Sequence, residues 1–187
     1  TAVKYGLDPN RPVIAICPGS RKSELSENLP AMLGAGKLIY RRYPAYQFIV
    51  PVISTEGEEV FGVKKSILKK QIKDSGLPIV LAEGRIYDIM NLARILLISS
   101  GTATLEGAFV GTPMVICYKV SFLTEIQARL FYKLPEFIGL PNILLNKMAA
   151  PELIQHNCTP KTIAEKAFEL IDKPEVYQQQ KDDFSEL

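Results

Sequence analysis

The stretch VIAICPGSR, residues 13–21, decides the fold class of this 187-residue chain. Its first five residues form an unbroken apolar run rich in β-branched side chains, which is typical of a strand buried on both faces of a parallel sheet. After the turn, apolar residues recur at three- and four-residue spacing from Leu25 to Tyr43, which predicts a helix that ends near Pro44. Strand, turn and helix in this order open a βαβ unit.

The same alternation repeats along the chain. Further strands are predicted at residues 46–52, 78–82, 95–99 and 113–118. Helices are predicted at residues 56–73, 86–92, from 102 onwards, 122–132 and 160–171. Five strands that alternate with helices predict an α/β fold, a doubly wound, Rossmann-like parallel sheet over residues 1–173, followed by a helical tail over 174–187. Whether this tail is truncated is left open.

Composition narrows the function classes. The 22 basic and 20 acidic residues leave a formal charge of +2, which disfavours a nucleic-acid partner. No apolar run approaches the ~20 residues that span a bilayer, so we expect a soluble, cytoplasmic protein. The three cysteines show no C-x-x-C spacing and are expected to be reduced core thiols. A single histidine, His156, excludes a multi-histidine metal site, and we expect it to be a solvated loop residue.

Ligands of doubly wound sheets bind at the carboxyl ends of the strands, so the residues that follow each strand are the candidates. Gly19, Ser20 and Arg21 follow the first strand. Glycine permits a tight turn, serine offers a hydroxyl, and arginine offers a planar fork of donors suited to phosphate oxygens. The turn is neither G-x-G-x-x-G nor a Walker loop, and an ordinary strand-to-helix turn is an equally good interpretation.

A stronger motif, Ser99-Ser100-Gly101-Thr102-Ala103-Thr104-Leu105-Glu106, follows the strand at 95–99. The first N–H groups of a helix have no partners within it and attract anions, which predicts a diphosphate site. The side-chain donors expected there are the hydroxyls of Ser100, Thr102 and Thr104. Glu106, one turn into the helix, is placed to accept hydrogen bonds from a ribose diol; the alternative role is to complement the helix dipole.

Two further polar residues follow predicted strands or lie in rigid loops. Lys119 directly follows the strand at 113–118 and is placed to reach anionic oxygens, with a solvated lysine as the alternative. Asn142 lies in Leu140-Pro141-Asn142-Ile143-Leu144 and is a candidate to contact a sugar or phosphate, although composition alone favours a capping role.

Taken together, these motifs resemble one enzyme family. GSRKSEL, SGTATLE followed by PMVICYK, LPNIL and PELIQ occur in the order and spacing of the C-terminal half of lipid-A-disaccharide synthase, over residues 12–173. The resemblance implies the C-terminal half of a GT-B glycosyltransferase fold. It implies transfer of 2,3-diacylglucosamine from its UDP conjugate to 2,3-diacylglucosamine 1-phosphate, with inversion and release of UDP.

The resemblance also assigns roles to residues. Gly19, Ser20 and Arg21 would face the donor phosphates and sugar, and Asn142 a polar group nearby. The residues expected to hold the diphosphate are Ser100, Gly101, Thr102 and Thr104, and Glu106 would hold the ribose. By analogy with other donor domains of this fold, uracil would stack on Ile86. The general base would belong to an N-terminal domain that this chain lacks, so we expect the chain to bind donor but hardly turn it over.

The negative charge of departing UDP can be stabilised by helix N–H groups, Arg21 and Lys119. The sequence contains no D-x-D motif that would suggest a bound divalent ion. We therefore predict UDP binding without metal or cofactor. A lysine-rich helix at 64–73 is a candidate contact with anionic lipid of the inner membrane, with a solvated helix face preferred. The aromatic-rich segment 122–137 is a candidate contact with an acyl chain, a second domain or a partner subunit, and packing on the missing domain is preferred. A homo-oligomer is left open. The alternatives are another UDP-sugar enzyme of this fold, an epimerase, or a non-catalytic nucleotide-binding module.

Overall fold

The computed structural model describes residues 2–52, 59–60, 63–119 and 136–187, with the backbone alone at 59–60 and 63–67. The strands are β1 Val13–Cys17, β2 Gln47–Val52, β3 Glu59–Val60, β4 Val63–Lys64, β5 Ile79–Glu83, β6 Ile95–Ser99, β7 Met114–Tyr118 and β8 Glu152–Ile154. The helices are α1 Lys22–Arg42, α2 Lys65–Ser75, α3 Ile86–Leu92, α4 Thr102–Val110, α5 Leu140–Leu145, α6 Pro160–Asp172 and α7 Pro174–Phe184, with 3₁₀ turns at Ala2–Tyr5 and Gln155–Asn157.

Six strands form one sheet in the order β5-β2-β1-β6-β7-β8, and every neighbouring pair is parallel. Strands β1, β2 and β6 are buried along their whole length, which explains their continuous apolar sequences. The doubly wound parallel sheet predicted from the sequence is therefore confirmed.

Helices cover both faces of the sheet. One core lies beneath α1, α2 and α6 and includes Ile16, Phe48 and Leu97. The other lies on the α3, α4 and α7 side and includes Leu96 and Met114. Because neighbouring residues of a strand point to opposite faces, Leu96 and Leu97 belong to different cores.

Two sequence predictions are wrong in detail. After Tyr118 only helices and loops are predicted, yet Glu152–Ile154 forms the edge strand β8, which is too short to show a strand periodicity. The helix predicted from residue 56 begins only at Lys65, and it is preceded by the antiparallel pair of β3 and β4. Valine and glycine in this segment favour extended backbone and turns over helix. The helix predicted at 122–132 lies outside the described residues.

The segment after Lys173 is helical and packs on the rest of the chain. Phe184 is 3% exposed and belongs to the core on the α4 side. The Gln180 side chain accepts a hydrogen bond from the backbone N–H of Met114, at the start of β7. Lys147 forms ion pairs with Asp183 at 2.9 Å and Glu186 at 2.8 Å. The residues predicted to form a tail thus contribute to the core.

Candidate phosphate-binding site at the sheet switch point

The chain changes direction across the sheet between β1 and β6. From β1 the chain continues to β2 on one side, and from β6 it continues to β7 on the other. Cys17 pairs with Ile98, so the two strands end at the same level and the turns that follow them are neighbours. In open α/β sheets this switch point leaves a crevice at the carboxyl edge, and ligands bind there.

The first turn, Gly19–Arg21, is occupied by a side chain of the protein itself. The Glu24 carboxylate accepts hydrogen bonds from the backbone N–H groups of Ser20 at 2.9 Å and Arg21 at 3.3 Å. Arg21 Nη1 lies 3.4 Å from the other oxygen of Glu24. Gly19 adopts φ +114°, and a Cβ at this position would overlap Glu24. The turn therefore holds an anion already, and its predicted residues Ser20 and Arg21 are exposed beside it.

The second turn, Ser100–Thr102, is open. Gly101 is the residue before α4 and has φ +152°, a conformation that side chains rarely adopt. Among the residues that the structure describes, no side chain caps this helix, and its first turn carries no acidic residue. Gly101 and Thr102 are exposed. A helix terminus of this kind offers backbone N–H groups and a partial positive charge, and the diphosphate site expected here from the sequence stays a prediction.

Two of the three hydroxyls predicted to bind phosphate are used inside the protein. Thr104 is 0% exposed, and its hydroxyl donates to the Gly101 carbonyl at 2.7 Å. The Ser100 hydroxyl donates to the Ile138 carbonyl at 2.9 Å, which ties this turn to the loop before α5. Thr102 is the one of the three that is exposed.

Asn142 lies in a buried hydrogen-bond network and not on the surface. Its amide nitrogen donates to the Ala150 carbonyl at 2.7 Å and to Glu152 at 2.8 Å, and its oxygen accepts from the Ala150 N–H at 2.8 Å. Glu152 also accepts from the N–H groups of Ile138 and Gly139 at 2.9 and 2.8 Å. Through Glu152, Asn142 fixes the loop that Ser100 contacts; the capping role favoured by composition is not seen, because Gly139 and Asn146 cap this helix.

The remaining predicted residues lie along the same edge of the sheet. Glu106 is half-buried in the second turn of α4, and Lys119 is half-buried directly after β7. Ile86 is the first residue of α3, after β5, and is half-buried. Beside it, a Cβ on Gly84 would lie 2.8 Å from the Tyr5 hydroxyl, so this loop is packed against the start of the chain.

The hydrogen-bonding roles of Glu24, Asn28 and Ser99 were not predicted from the sequence. Asn28 is 1% exposed in α1, and its amide nitrogen lies 3.0 Å from the Glu24 carbonyl and 3.4 Å from the Ser99 hydroxyl. The available signal was its position, because it interrupts the apolar stripe of α1 between Leu25 and Leu29.

The cysteines and the histidine are where the sequence places them. Cys17, Cys117 and Cys158 are free and buried, and His156 is exposed in a short 3₁₀ turn. Burial raises the pKa of Cys17 to about 12, and a hydrogen bond with Cys158, together with burial, raises the pKa of Cys117.

Over the described ranges no three His, Cys, Asp or Glu side chains gather as metal ligands would. No described helix is long and apolar enough to cross a bilayer.

An open helix terminus at the switch point of a parallel sheet defines a Rossmann-like α/β domain, the unit from which GT-B glycosyltransferases are built. The family model for lipid-A-disaccharide synthetase matches residues 2–187. The lipid-A-disaccharide synthase of Geobacter metallireducens is 38% identical over 171 residues, 91% of this chain and 42% of that protein. The enzyme of Persephonella marina is 32% identical over 184 residues, 98% of this chain and 48% of that protein. The chain belongs to the lipid-A-disaccharide synthase family.

Solved structures share the fold at low sequence identity. A glycosyltransferase involved in lipopolysaccharide biosynthesis, WaaG, matches with a TM-score of 0.62 and 12% identity, over 97% of this chain and 44% of that chain. UDP-GlcNAc 2-epimerase from Neisseria meningitidis, bound to UDP-GlcNAc, matches with a TM-score of 0.60 and 17% identity, over 93% and 39%. The chain spans less than half the length of these relatives. Among the alternatives left open by the sequence, family membership favours a synthase over an epimerase or a non-catalytic nucleotide-binding module.

Proposed function

We propose that this chain is the donor-binding half of an inverting lipid-A-disaccharide synthase. The complete enzyme would transfer 2,3-diacylglucosamine from UDP to 2,3-diacylglucosamine 1-phosphate and release UDP. The observation that carries the proposal is the uncapped N-terminus of α4 at the switch point, within a chain of this family. A helix terminus of this kind offers N–H groups and a partial positive charge to a diphosphate.

In this proposal each end of the donor meets a different part of the sheet edge. The diphosphate binds at Gly101 and Thr102, whose exposed backbone follows β6. Glu106, one turn further along α4, accepts hydrogen bonds from the ribose hydroxyls. Uracil stacks on Ile86 at the start of α3. Ser100 and Thr104 act by shaping the turn, since their hydroxyls bond to backbone carbonyls.

Departure of UDP leaves negative charge on the diphosphate, which the enzyme has to stabilise. The exposed Arg21 guanidinium and the Lys119 ammonium, together with the α4 terminus, supply positive charge on either side of the crevice. This arrangement supports transfer without a metal ion or cofactor. The base that accepts the proton of the incoming hydroxyl would come from the other half of the enzyme, so this chain alone would bind UDP without appreciable turnover.

Calorimetric titration of the full chain with UDP, in the presence of EDTA, tests the binding step. We expect saturable binding of UDP and weaker binding of CDP, ADP and pyrophosphate, because only UDP satisfies the base, ribose and diphosphate contacts together. If the Glu106 carboxylate holds the ribose, Glu106→Gln should lower the affinity for UDP about fivefold and leave the affinity for pyrophosphate unchanged. Equal affinity for UDP and pyrophosphate would contradict the proposed nucleotide site.

A chimaera tests the transfer step. This chain would replace the matching 42% of the Geobacter metallireducens enzyme, so that the relative supplies the other half. We expect UDP release from the UDP-diacylglucosamine donor only when diacylglucosamine 1-phosphate is present. A matched chimaera with Glu106→Gln controls for folding, and its donor KM should rise more than its kcat falls. A folded chimaera that binds UDP without transfer would contradict the assigned reaction.

We also propose that the complete enzyme works in the cytoplasm at the inner membrane, where its acylated substrates reside. Lys69, Lys70 and Lys73 are exposed on α2 and would contact anionic lipid. The aromatic residues at 122–132 lie outside the described residues. Flotation with vesicles that contain anionic phospholipid, with the triple Lys→Glu variant as control, tests this contact; sedimentation equilibrium tests whether the enzyme is a homo-oligomer.

A further inference from the structure

Asn28 is a polar residue in an apolar setting. It lies on the face of α1 that packs on the sheet, between the buried residues Leu25 and Leu29, and it is 1% exposed. Polar side chains are rarely so buried unless hydrogen bonds hold them. We therefore expect hydrogen bonds around Asn28 to account for a polar residue at this position.

The Asn28 amide lies between the start of α1 and the end of β6, next to the two turns of the switch point. Its nitrogen donates to the carbonyl of Glu24 at 3.0 Å, and the carboxylate of Glu24 holds the first turn. The same nitrogen lies 3.4 Å from the hydroxyl of Ser99, the last residue of β6, where the second turn begins. One side chain thus links the first turn of α1 to the end of β6.

The other end of the amide is unsatisfied. Within the part of the chain that the structure describes, Asn28 Oδ1 and the Tyr5 hydroxyl are buried and have no hydrogen-bond partner. The amide cannot be reversed without loss, because the Glu24 carbonyl is an acceptor and requires the nitrogen. A buried carbonyl that lacks a partner is unfavourable to the fold, so packing alone does not account for asparagine at this position.

We infer that Asn28 is a positioning residue that couples the two turns and sets the geometry of the diphosphate site. The inference rests on the proposed UDP site at α4. Asn28 holds Ser99, Ser99 leads directly into the open Ser100–Thr102 turn, and the N–H groups of that turn face the ligand phosphates. Because Asn28 is buried beneath the turns, it acts through Ser99 and does not touch the donor.

Asn28→Ala and Ser99→Ala test the coupling in the full chain. We expect each variant to bind UDP about fivefold more weakly, and the double variant to bind no more weakly than either single one, because both remove the same contact. The thermal midpoint of Asn28→Ala should stay close to that of the unaltered chain, since alanine favours helix and the unsatisfied carbonyl is removed. Backbone amide exchange at 99–104 should become faster, with β2 unchanged.

Ile39→Val in the last turns of α1 is the matched control. It lowers stability through lost packing, far along the helix from the crevice, and should leave UDP affinity unchanged. The inference is overturned if Asn28→Ala changes neither UDP affinity nor exchange at 99–104, or if the two substitutions add independently. If the unaltered chain does not bind UDP, the proposed function fails, and the exchange measurement still decides whether Asn28 orders the turn.

Discussion

The turn after β1 and the turn after β6 follow the same plan, a buried strand that ends in small residues and leads into a helix, but they treat anions differently. The third helical residue is Glu24 in α1 and Thr104 in α4. Glu24 reaches back and accepts the N–H groups of its turn, whereas the Thr104 hydroxyl donates to the carbonyl of Gly101. One turn is closed by the protein's own carboxylate, and at the other no described side chain covers the helix terminus.

The difference shows that residues that look alike in the sequence make different hydrogen bonds in the two turns. Both turns contain glycine with positive φ, and both offer hydroxyl side chains. At the first turn the glycine makes room for Glu24, and at the second it leaves the helix terminus uncovered. The Arg21 side chain beside the closed turn is 80% exposed, and in the proposed function its charge and the α4 terminus act on the same diphosphate.

The largest expected effect is on the loop that supports the open turn. Asn142→Ala would leave the Ala150 N–H and part of the Glu152 carboxylate without partners in a buried site. We expect the free energy of unfolding to fall by about 3 kcal/mol, measured by urea denaturation. Asn146→Ala, at the exposed end of α5, serves as the control and should lower the free energy of unfolding by less. A stable Asn142→Ala chain with lost UDP binding would instead indicate direct ligand contact.

Gly101→Ala tests the open turn directly. The backbone at Gly101 has φ +152° and ψ −169°, a region essentially reserved for glycine, so alanine should strain or refold the turn at a cost of about 2 kcal/mol. UDP affinity measured by calorimetry should fall at least about tenfold. Gly76→Ala is the matched control, since Gly76 has φ +67° with open space around it and lies after α2, away from the crevice. Equal loss of UDP binding in both variants would refute a special role of the open turn.

Cys17, the last residue of β1 beneath the closed turn, should make the free energy of unfolding depend on pH. The pKa of Cys17 is raised from an ordinary value of 9.0 to about 12 by burial. The folded protein therefore retains a proton that the unfolded chain releases, and this contribution is complete below pH 9 and is lost as the pH rises towards 12. Between pH 8 and 10 the unaltered chain should lose about 1.4 kcal/mol more stability than Cys17→Ala. Parallel pH curves for the two proteins would show that Cys17 titrates normally.

Glu24→Thr gives the closed turn the residue that the open turn has at the same helical position. The loss of the carboxylate cap should lower the free energy of unfolding by about 1 kcal/mol. Phosphate added in place of chloride at equal ionic strength should stabilise this variant more than the unaltered chain, because two N–H groups are uncovered. Glu24→Gln keeps an acceptor oxygen and should respond less. If phosphate stabilises all three proteins equally, Glu24 does not exclude anions from the first turn.

Much of the architecture was predictable because parallel strands buried on both faces leave continuous apolar runs. Strands β1, β2, β6 and β7 fall at the predicted places. The edge strand β8 was missed, since three residues show no periodicity, and α2 begins later than predicted. The open turn was predictable from Ser100, Gly101 and Thr102, but the inward use of Thr104 was not, because a hydroxyl that binds phosphate and one that bonds to a carbonyl look the same in a sequence.

The sequence by itself determined the parallel α/β class, the buried state of the cysteines and the position of the candidate site at strand ends, because periodicity and local turn chemistry act over a few residues. Only the tertiary structure decided that Glu24 closes one turn, that Asn142 is buried and bonds to Ala150 and Glu152, and that Asn28 contacts Ser99. Asn28 and Ser99 are 71 residues apart in the chain. Contacts of that range follow from how α1 packs on the sheet, and no local pattern records them.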